Sequence, residues 1–244
     1  MGTAWVGTSG WSYPEWVGRF YPEGTSAARM LAYYASRLTA VEAHSTYRRL
    51  PTEAAIRRWL ETVPPGFRFA PKAHVGITHR QDLDGVEGRT AAFFAAIAPL
   101  GECAGPVLFA LPHRQPDLHR LDRLLRSLPP PPRPPVAFQL HPAWSTDEVA
   151  GRLRDHGAAL AVVDDDMTNG DAGSDATPPL LDAGPFLYVR LRRSRYRPAQ
   201  LDTWTQRLAA ANEGGRDVYA FFRHEDRADG PRYARRMLGR LQKG

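Results

Sequence analysis

The 244-residue sequence has a single cysteine, Cys103, so no disulfide can form within the chain. A chain that does without disulfides is typical of a reducing compartment, and we expect a cytoplasmic protein. No apolar run reaches the roughly 18 residues that a membrane-spanning helix needs. The N-terminus also lacks the basic and apolar regions of a secretory signal. These absences predict a globular protein with no membrane partner.

Several motifs of common enzyme classes are missing. "GTSGWS" at residues 7–12 is not the G-x-G-x-x-G loop of a dinucleotide-binding fold. The eight histidines form no H-E-x-x-H pattern. The acidic segment "DDDMTNGDAGSD" (164–175) does not fit a calcium loop, because Met167 and the following Ala176 occupy positions where such a loop needs ligands. We therefore predict no metal site, and the sequence does not indicate a cofactor.

Lysine is scarce, although the chain is basic. Lys72 and Lys243 are the only lysines among 32 lysine and arginine residues, and the formal net charge is +6. This balance suggests an anionic partner, either a small ligand or a nucleic acid, although scattered solvated arginines are the simpler explanation of the charge. In so arginine-rich a chain, Lys72 indicates a role unsuited to arginine, such as a compact charge or a tunable amine. The alternative for Lys72 is a simple salt bridge.

Apolar, β-prone runs alternate with helical patterns along the whole chain. Strands are predicted at residues 5–8, 39–45, 67–72, 106–111, 136–141, 158–166, 185–192 and 217–224. Helices are predicted at 26–38, 52–63, 89–100, 117–128 and 200–213. Two more are predicted from their start signals alone: one opens with a capping box of Ser145 and Glu148, and the last starts near Pro231. Eight strand–helix units predict an α/β fold, a (β/α)₈ TIM-type barrel forming one domain over residues 1–244. The alternative is a doubly wound open sheet.

The active site of such a barrel lies at the carboxyl ends of its strands. Polar or aromatic side chains stand at seven of the eight predicted ends, which favours a ligand site there. These residues are Ser9, Trp11, Tyr13, Glu42, His44, Ser45, Lys72, His79, Gln139, His141, Asp164, Arg190, Arg192 and Arg223.

Three of these residues, Glu42, Lys72 and His79, are candidates for catalysis. Glu42 and His44 lie two apart and share one face of a strand, as an acid–base pair or two metal ligands would. We favour a different role for Glu42, namely an ion pair with Lys72 or an arginine. In an enzyme, Glu42 or His79 would move protons and Lys72 would hold charge.

The remaining candidates are predicted to bind a ligand. Arg190 and Arg192 share a face and, with Arg223, form a clamp for a phosphate or carboxylate. Trp11, Tyr13 and nearby Trp16 form an aromatic wall on which a sugar or base would stack, or else they pack as core. Of the acidic segment, only Asp164 is expected to face the barrel mouth.

The ordered motifs resemble one known family. They are "GTSGWSYPEW" (7–16), "FYP" (20–22), "YYASRLTAVEAHSTYRRLP" (33–51), "FAPKAHVGITH" (69–79), "GPVLFALP" (105–112) and "YVRL" (188–191). Together they are similar to the DUF72, or YecE-like, family, which has a TIM-barrel fold and no established activity. The resemblance extends to candidate site positions, which are Trp11, Tyr13, Glu42, Ser45, Thr46, Lys72, His79, Asp164 and Arg190.

The sequence departs from that family at other site positions. His44 replaces an asparagine, and Gln139 replaces a glutamate at the end of the fifth strand. Arg192 stands where the family has a histidine, and Arg223 begins a segment that is rich in asparagine in the family. We expect an enzyme acting on an anionic substrate, a phosphate-bearing sugar or nucleotide. The alternatives are a nucleotide-binding or nucleic-acid-binding module without turnover, and a non-catalytic barrel.

Overall fold

The computed structural model describes residues 1–144, 146–166, 177–180, 184–225 and 227–242. Eight β-strands within these ranges form one parallel sheet. The strands are β1 (Ala4–Ser9), β2 (Ala40–Ala43), β3 (Arg68–Pro71), β4 (Val107–Ala110), β5 (Val136–Gln139), β6 (Ala158–Asp164), β7 (Phe186–Leu191) and β8 (Asp217–Phe222). Each lies within or beside a predicted strand, so the strand prediction is confirmed.

The sheet curls into a barrel. The strands neighbour one another in the order β3-β2-β1-β8-β7-β6-β5-β4. The first and last strands of that order, β3 and β4, meet through the parallel bridges Phe69–Ala104 and Lys72–Leu108. The predicted TIM-type barrel is therefore confirmed, and the doubly wound open sheet is excluded.

Helices connect most of the strands and surround the barrel. They are α1 (Ala27–Ala35), α2 (Ser45–Arg48), α3 (Glu53–Thr62), α4 (Val75–Thr78), α5 (Val86–Ile97), α6 (Leu118–Arg126), α7 (Asp147–Asp155), α8 (Pro198–Glu213) and α9 (Asp229–Leu241). The single-turn helices α2 and α4 were not predicted, because four residues carry too little periodicity. Across the described ranges, no helix combines the length and apolarity needed to cross a bilayer.

One predicted helix start, that of α7, is corrected. The N-cap of α7 is Thr146, whose side chain accepts the backbone N–H of Val149 at 3.2 Å. The predicted capping box of Ser145 and Glu148 is therefore wrong, and Ser145 itself lies outside the described residues. The last helix, α9, starts at Asp229, which agrees with the predicted start near Pro231.

The barrel interior is apolar at the amino ends of its strands. Trp5 stacks on Tyr219 with ring centroids 4.6 Å apart, and Phe186 packs edge-on against Tyr219 at 5.7 Å. The same interior cluster contains the alanines Ala40, Ala70, Ala110, Ala137, Ala159 and Ala161. Since side chains alternate between the two faces of a strand, these residues plug the barrel and leave its carboxyl end for polar groups.

Gly7 lies inside β1, where two strands and a helix meet closely. The Tyr34 hydroxyl of α1 donates to the Ala40 carbonyl at 2.9 Å and accepts the Thr8 N–H at 2.7 Å. A Cβ at Gly7 would lie 1.8 Å from the Ala40 carbonyl oxygen and 2.8 Å from the Tyr34 hydroxyl. Only glycine therefore fits at this position.

We expect Gly7→Ala to lower the free energy of unfolding by about 3 kcal/mol, because the added methyl group forces β1 and β2 apart. Urea denaturation measures this change. The control is Gly88→Ala in α5, where the new Cβ has no neighbour within 4 Å beyond the adjacent residues and backbone of its own helix. The free energy of unfolding of that variant should rise by about 0.5 kcal/mol, because alanine reduces the conformational freedom of the unfolded chain. A Gly7→Ala protein as stable as the wild type would contradict the close approach.

Candidate active site

Glu42 is the centre of a buried hydrogen-bond network near the end of β2. Its side chain is fully buried. Its Oε1 accepts from Ser9 Oγ at 3.0 Å and from Arg190 Nη2 at 2.6 Å. Its Oε2 accepts from the Tyr188 hydroxyl and from Arg190 Nε, each at 2.9 Å. His44 Nε2 also contacts Oε1. These donors occupy both carboxylate oxygens.

Arg190 holds Glu42 in a bidentate ion pair, the strongest geometry for a guanidinium and a carboxylate. The third arm of the guanidinium, Nη1, donates to Gln139 Oε1. This one side chain therefore ties β7 to β2 and β5. The sequence did not decide whether Glu42 pairs with Lys72 or with an arginine. In the structure, its partner is Arg190.

The surroundings keep Glu42 ionised. Burial by itself raises the pKa of Glu42, but the charges of Arg190 and His44 outweigh burial and hold the pKa well below its ordinary value of 4.5. A carboxylate with this pKa, whose oxygens already accept five hydrogen bonds, is a poor proton acceptor for a substrate. The geometry therefore favours an organising role for Glu42 over the role of base.

Arg192 is the next residue on the same face of the chain after Arg190. It is half-buried, and its Nη1 donates to Ser9 Oγ at 2.8 Å. Burial and the charge of Arg190 lower the pKa of Arg192 to about 10, so it remains cationic at neutral pH. No carboxylate of the described ranges forms an ion pair with it. Arg223, beyond β8, is exposed and adds to the positive potential at Arg192.

Lys72 follows β3 at the same end of the barrel. Its Nζ lies 4.2 Å from the centre of the Tyr47 ring, as in a cation–π contact. Burial and the nearby Arg190 charge lower the pKa of Lys72 below its ordinary value. None of the carboxylates that the structure describes forms a salt bridge with Lys72, so that alternative for its role is not supported.

His79 lies beside Lys72 at the C-terminal cap of α4. Its Nδ1 is 2.8 Å from the Thr78 hydroxyl, and its ring packs edge-on against Tyr47 at 5.3 Å. Burial, the charge of Lys72 and the neighbouring His113 lower the pKa of His79 below 6.5. The exposed imidazole is therefore neutral at pH 7 and able to accept a proton.

The aromatic residues after β1 are mainly packed. Trp16 is fully buried and belongs to the core. Trp11 is half-buried, with its ring edge-on to Trp59 at 5.4 Å. Tyr13 stacks on His224 at 4.9 Å with an angle of 4° between the rings. The predicted stacking wall is thus largely engaged with the protein itself, and one face of Tyr13 is covered.

The expectation that Asp164 faces the barrel mouth is wrong. Asp164 is buried on the helix side of β6, where its Oδ1 accepts from Arg193 Nε and its Oδ2 from Trp204 Nε1, both at 2.7 Å. Because side chains alternate along a strand, Val163 takes the inward position. Most of the acidic segment after it, residues 167–176, lies outside the described residues.

The other two candidates lie at the edge of the network. His141 is half-buried after β5, and its Nδ1 accepts the Ala143 N–H at 3.2 Å. With Gln139 it lines a cavity of about 460 Å³ beside β5 and β6. Ser45 is exposed at the start of α2, and its side chain makes no hydrogen bond to Glu42.

Two residues of the site, Tyr188 and His113, were missed in the sequence. Tyr188 lies two positions before Arg190, so its place on the same face of β7 was available from the strand period. His113 follows a strand end that is otherwise apolar.

Across the described ranges, no three histidine, cysteine or acidic side chains are grouped to hold a metal ion.

Comparison with known proteins decides the family. The model of the family described as "Protein of unknown function DUF72" matches residues 5–244. The chain belongs to the DUF72 family. No functionally curated protein matches the sequence significantly.

Solved structures of DUF72 proteins share the fold. A DUF72 protein from Thermotoga maritima is 24% identical, with a TM-score of 0.82 over 98% of this chain and 99% of that one. A DUF72 protein from Enterococcus faecalis is 17% identical, with a TM-score of 0.76 over 99% and 98%. A 3-keto-D-glucoside 4-epimerase from E. coli is 10% identical, with a TM-score of 0.50 over all of both chains. At these identities the likeness concerns the fold alone.

The buried ion pair predicts how stability depends on pH. Because the pKa of Glu42 is lower in the folded than in the unfolded protein, its stabilisation is present above about pH 4.5 and is lost as the pH falls toward the folded value. The stability of Glu42→Gln should therefore not show the part of the acid dependence that comes from Glu42. At pH 7 the free energy of unfolding of this variant should be about 3–5 kcal/mol lower than that of the wild type, since Arg190 is left buried without a counter-ion. Urea denaturation at pH 7 and at pH 3–5 measures both effects.

The matched control is Asp82→Asn, which removes an exposed ion pair with Arg80 on the protein surface. Exposed pairs contribute little, so this variant should follow the wild-type stability closely at every pH. If Glu42→Gln proved as stable as Asp82→Asn at pH 7, the ion pair would not have the structural importance assigned to it.

Proposed function

We propose that the barrel mouth binds a small anionic substrate, a phosphate-bearing sugar or nucleotide, and that the protein is an enzyme acting on it. The observation that carries this proposal is unbalanced positive charge. Glu42 is already matched by Arg190, whereas Lys72 and Arg192 are half-buried and have no carboxylate partner among the described residues. Cations that lose solvation without gaining a counter-ion favour an anion from solution.

The donors present suit a phosphate. Arg192 uses one guanidinium nitrogen for Ser9 and keeps further N–H groups for a ligand. Arginine binds phosphate through two parallel hydrogen bonds, and lysine adds a compact charge. Arg223 lies close enough to influence Arg192 and widens the positive surface toward the rim.

The proton-transfer role falls to His79 in this proposal. Its imidazole is neutral at pH 7, exposed, and adjacent to Lys72. Glu42 positions Arg190 and Ser9 instead of reacting. The epimerase from E. coli that shares the fold acts, by its name, on a sugar derivative, which is consistent with carbohydrate chemistry in such a barrel. Function depends on the site, however, and not on the fold.

A nucleic-acid partner is the second candidate, favoured by the net charge of +6. Binding through a phosphate backbone weakens steeply with salt and increases with the length of the polymer. The packing of Trp11 and Tyr13 against Trp59 and His224 leaves little aromatic surface for stacked bases. The small-ligand proposal therefore has the stronger structural support.

Titration calorimetry with glucose 6-phosphate, glucose and a single-stranded oligonucleotide tests the proposal. Glucose 6-phosphate should bind and glucose should not. Arg192→Gln should weaken binding about tenfold or more, the effect of losing a charged hydrogen bond. Arg195→Gln, which removes the same charge from an exposed position outside the network, is the control and should bind as the wild type does.

Two results would overturn the proposal. The first is equal weakening by Arg192→Gln and Arg195→Gln, which would indicate only a general charge effect. The second is binding of the oligonucleotide alone, with a steep salt dependence, which would favour the nucleic-acid function. Binding of none of the three compounds, nor of a wider panel of sugar phosphates and nucleotides, would favour a barrel without a ligand site.

A further inference from the structure

Lys72 is the only lysine in the described part of the chain, and its backbone is held on both sides. Its N–H donates to the Ala43 carbonyl of β2 at 3.3 Å, and its carbonyl accepts from Thr46 Oγ1 at 2.7 Å. On the opposite side, Lys72 pairs with Leu108 of β4. The side chain therefore starts from a rigid position at the seam where the barrel closes, as a residue that must reach a defined point requires.

The charges around the Lys72 amine are mostly of its own sign. Arg190 and Arg192 influence it from β7 and the residue after it, and Arg48 does so from α2. Among the described residues, the carboxylate that influences Lys72 is that of Glu42, and it is occupied by Arg190. Like charges and partial burial both favour the neutral amine, and the pKa of Lys72 is lowered accordingly.

An aromatic ring is the group that contacts the amine. The Tyr47 ring lies 4.2 Å from Nζ, and His79 packs edge-on against the same ring at 5.3 Å. Neither group accepts the amine in a salt bridge. The lone pair of a deprotonated Lys72 therefore remains available, which no guanidinium in this arginine-rich chain can match.

We infer that Lys72 is a nucleophile that forms a Schiff base with an aldehyde or ketone group of the anionic substrate. This inference rests on the proposed function, because Arg192 and Arg223 hold the negative group of that substrate. An amine activated by desolvation and by neighbouring cations is the established requirement for such chemistry.

The step balances without any further reactant. The Nζ lone pair adds to the carbonyl carbon, the C=O π bond opens, and one amine proton passes to the oxygen, giving a carbinolamine. The C–O bond then breaks as the hydroxyl takes up the proton that the Lys72 ammonium released on becoming neutral, water leaves, and an iminium ion remains. In this scheme the imidazole of His79, which contacts the same Tyr47 ring as Lys72, holds that proton in the interval. The iminium withdraws electrons from the adjacent carbon, which suits enolisation or carbon–carbon cleavage of a carbonyl-bearing sugar phosphate.

Reductive trapping tests this inference, and the chain suits it because it contains only two lysines. The probe is pyridoxal 5′-phosphate, an aldehyde with a phosphate group, followed by borohydride reduction and peptide mass spectrometry. Lys72 should be labelled at a concentration at least tenfold lower than Lys243, and inorganic phosphate should protect it. Pyridoxal, which lacks the phosphate, should label Lys72 less.

Lys72→Arg and Lys243→Arg form a matched pair, because both keep the net charge and each removes one amine. Lys72→Arg should lose the phosphate-protected label, while Lys243→Arg should keep it. If Lys72 reacts no better than Lys243 while glucose 6-phosphate still binds to the wild type, the Schiff-base inference is wrong and the proposed function stands. If the sugar phosphate does not bind and no protected label forms, both are wrong.

Discussion

The ion pair between Glu42 and Arg190 is the interaction on which the barrel mouth depends. Either charge alone would be strongly unfavourable at this depth, so each is tolerated only because of the other. The pair joins β2 to β7 across the interior, and three further donors complete the hydrogen bonds of the carboxylate. Since Arg190 neutralises the carboxylate of Glu42, Arg192 and Lys72 have no carboxylate partner among the residues that the structure describes.

The sequence was sufficient for the barrel because the signals of its elements are repeated and local. Eight apolar runs, separated by helical patterns, leave few topologies open. The strands were therefore found, whereas boundaries and single-turn elements were not. The helices α2 and α4 are four residues long and follow β2 and β3, so they are too short to show a helical period in the sequence. The start of α7 differs from the prediction by one residue because Ser145 and Thr146 are adjacent and both residue types cap helices.

The site was predicted in part, for a related reason. The rule that ligands bind at strand ends identified Glu42, Arg190 and Lys72 without any knowledge of distances. It placed Asp164 wrongly because β6 is buried on both faces, so its apolar run does not show which residues point inward. It also did not decide which cation pairs with Glu42, since that depends on distances across the barrel. Residues 42 and 190 are brought together only by closure of the sheet.

Two departures from the usual family pattern, Gln139 and Arg192, both make the barrel mouth more positive. A glutamate at position 139, in place of Gln139, would give Arg190 a second carboxylate and make the mouth one charge less positive. Arg192, where the family has a histidine, adds a permanent cation. The Arg192 change opposes stability, because it half-buries a positive charge that has no carboxylate partner among the described residues. A barrel that served only as a scaffold would be more stable without that charge. In the proposed function, a bound anion offsets this penalty through charged hydrogen bonds of roughly 1.5–3 kcal/mol each, and the neutral Gln139 leaves the mouth positive enough to attract the anion.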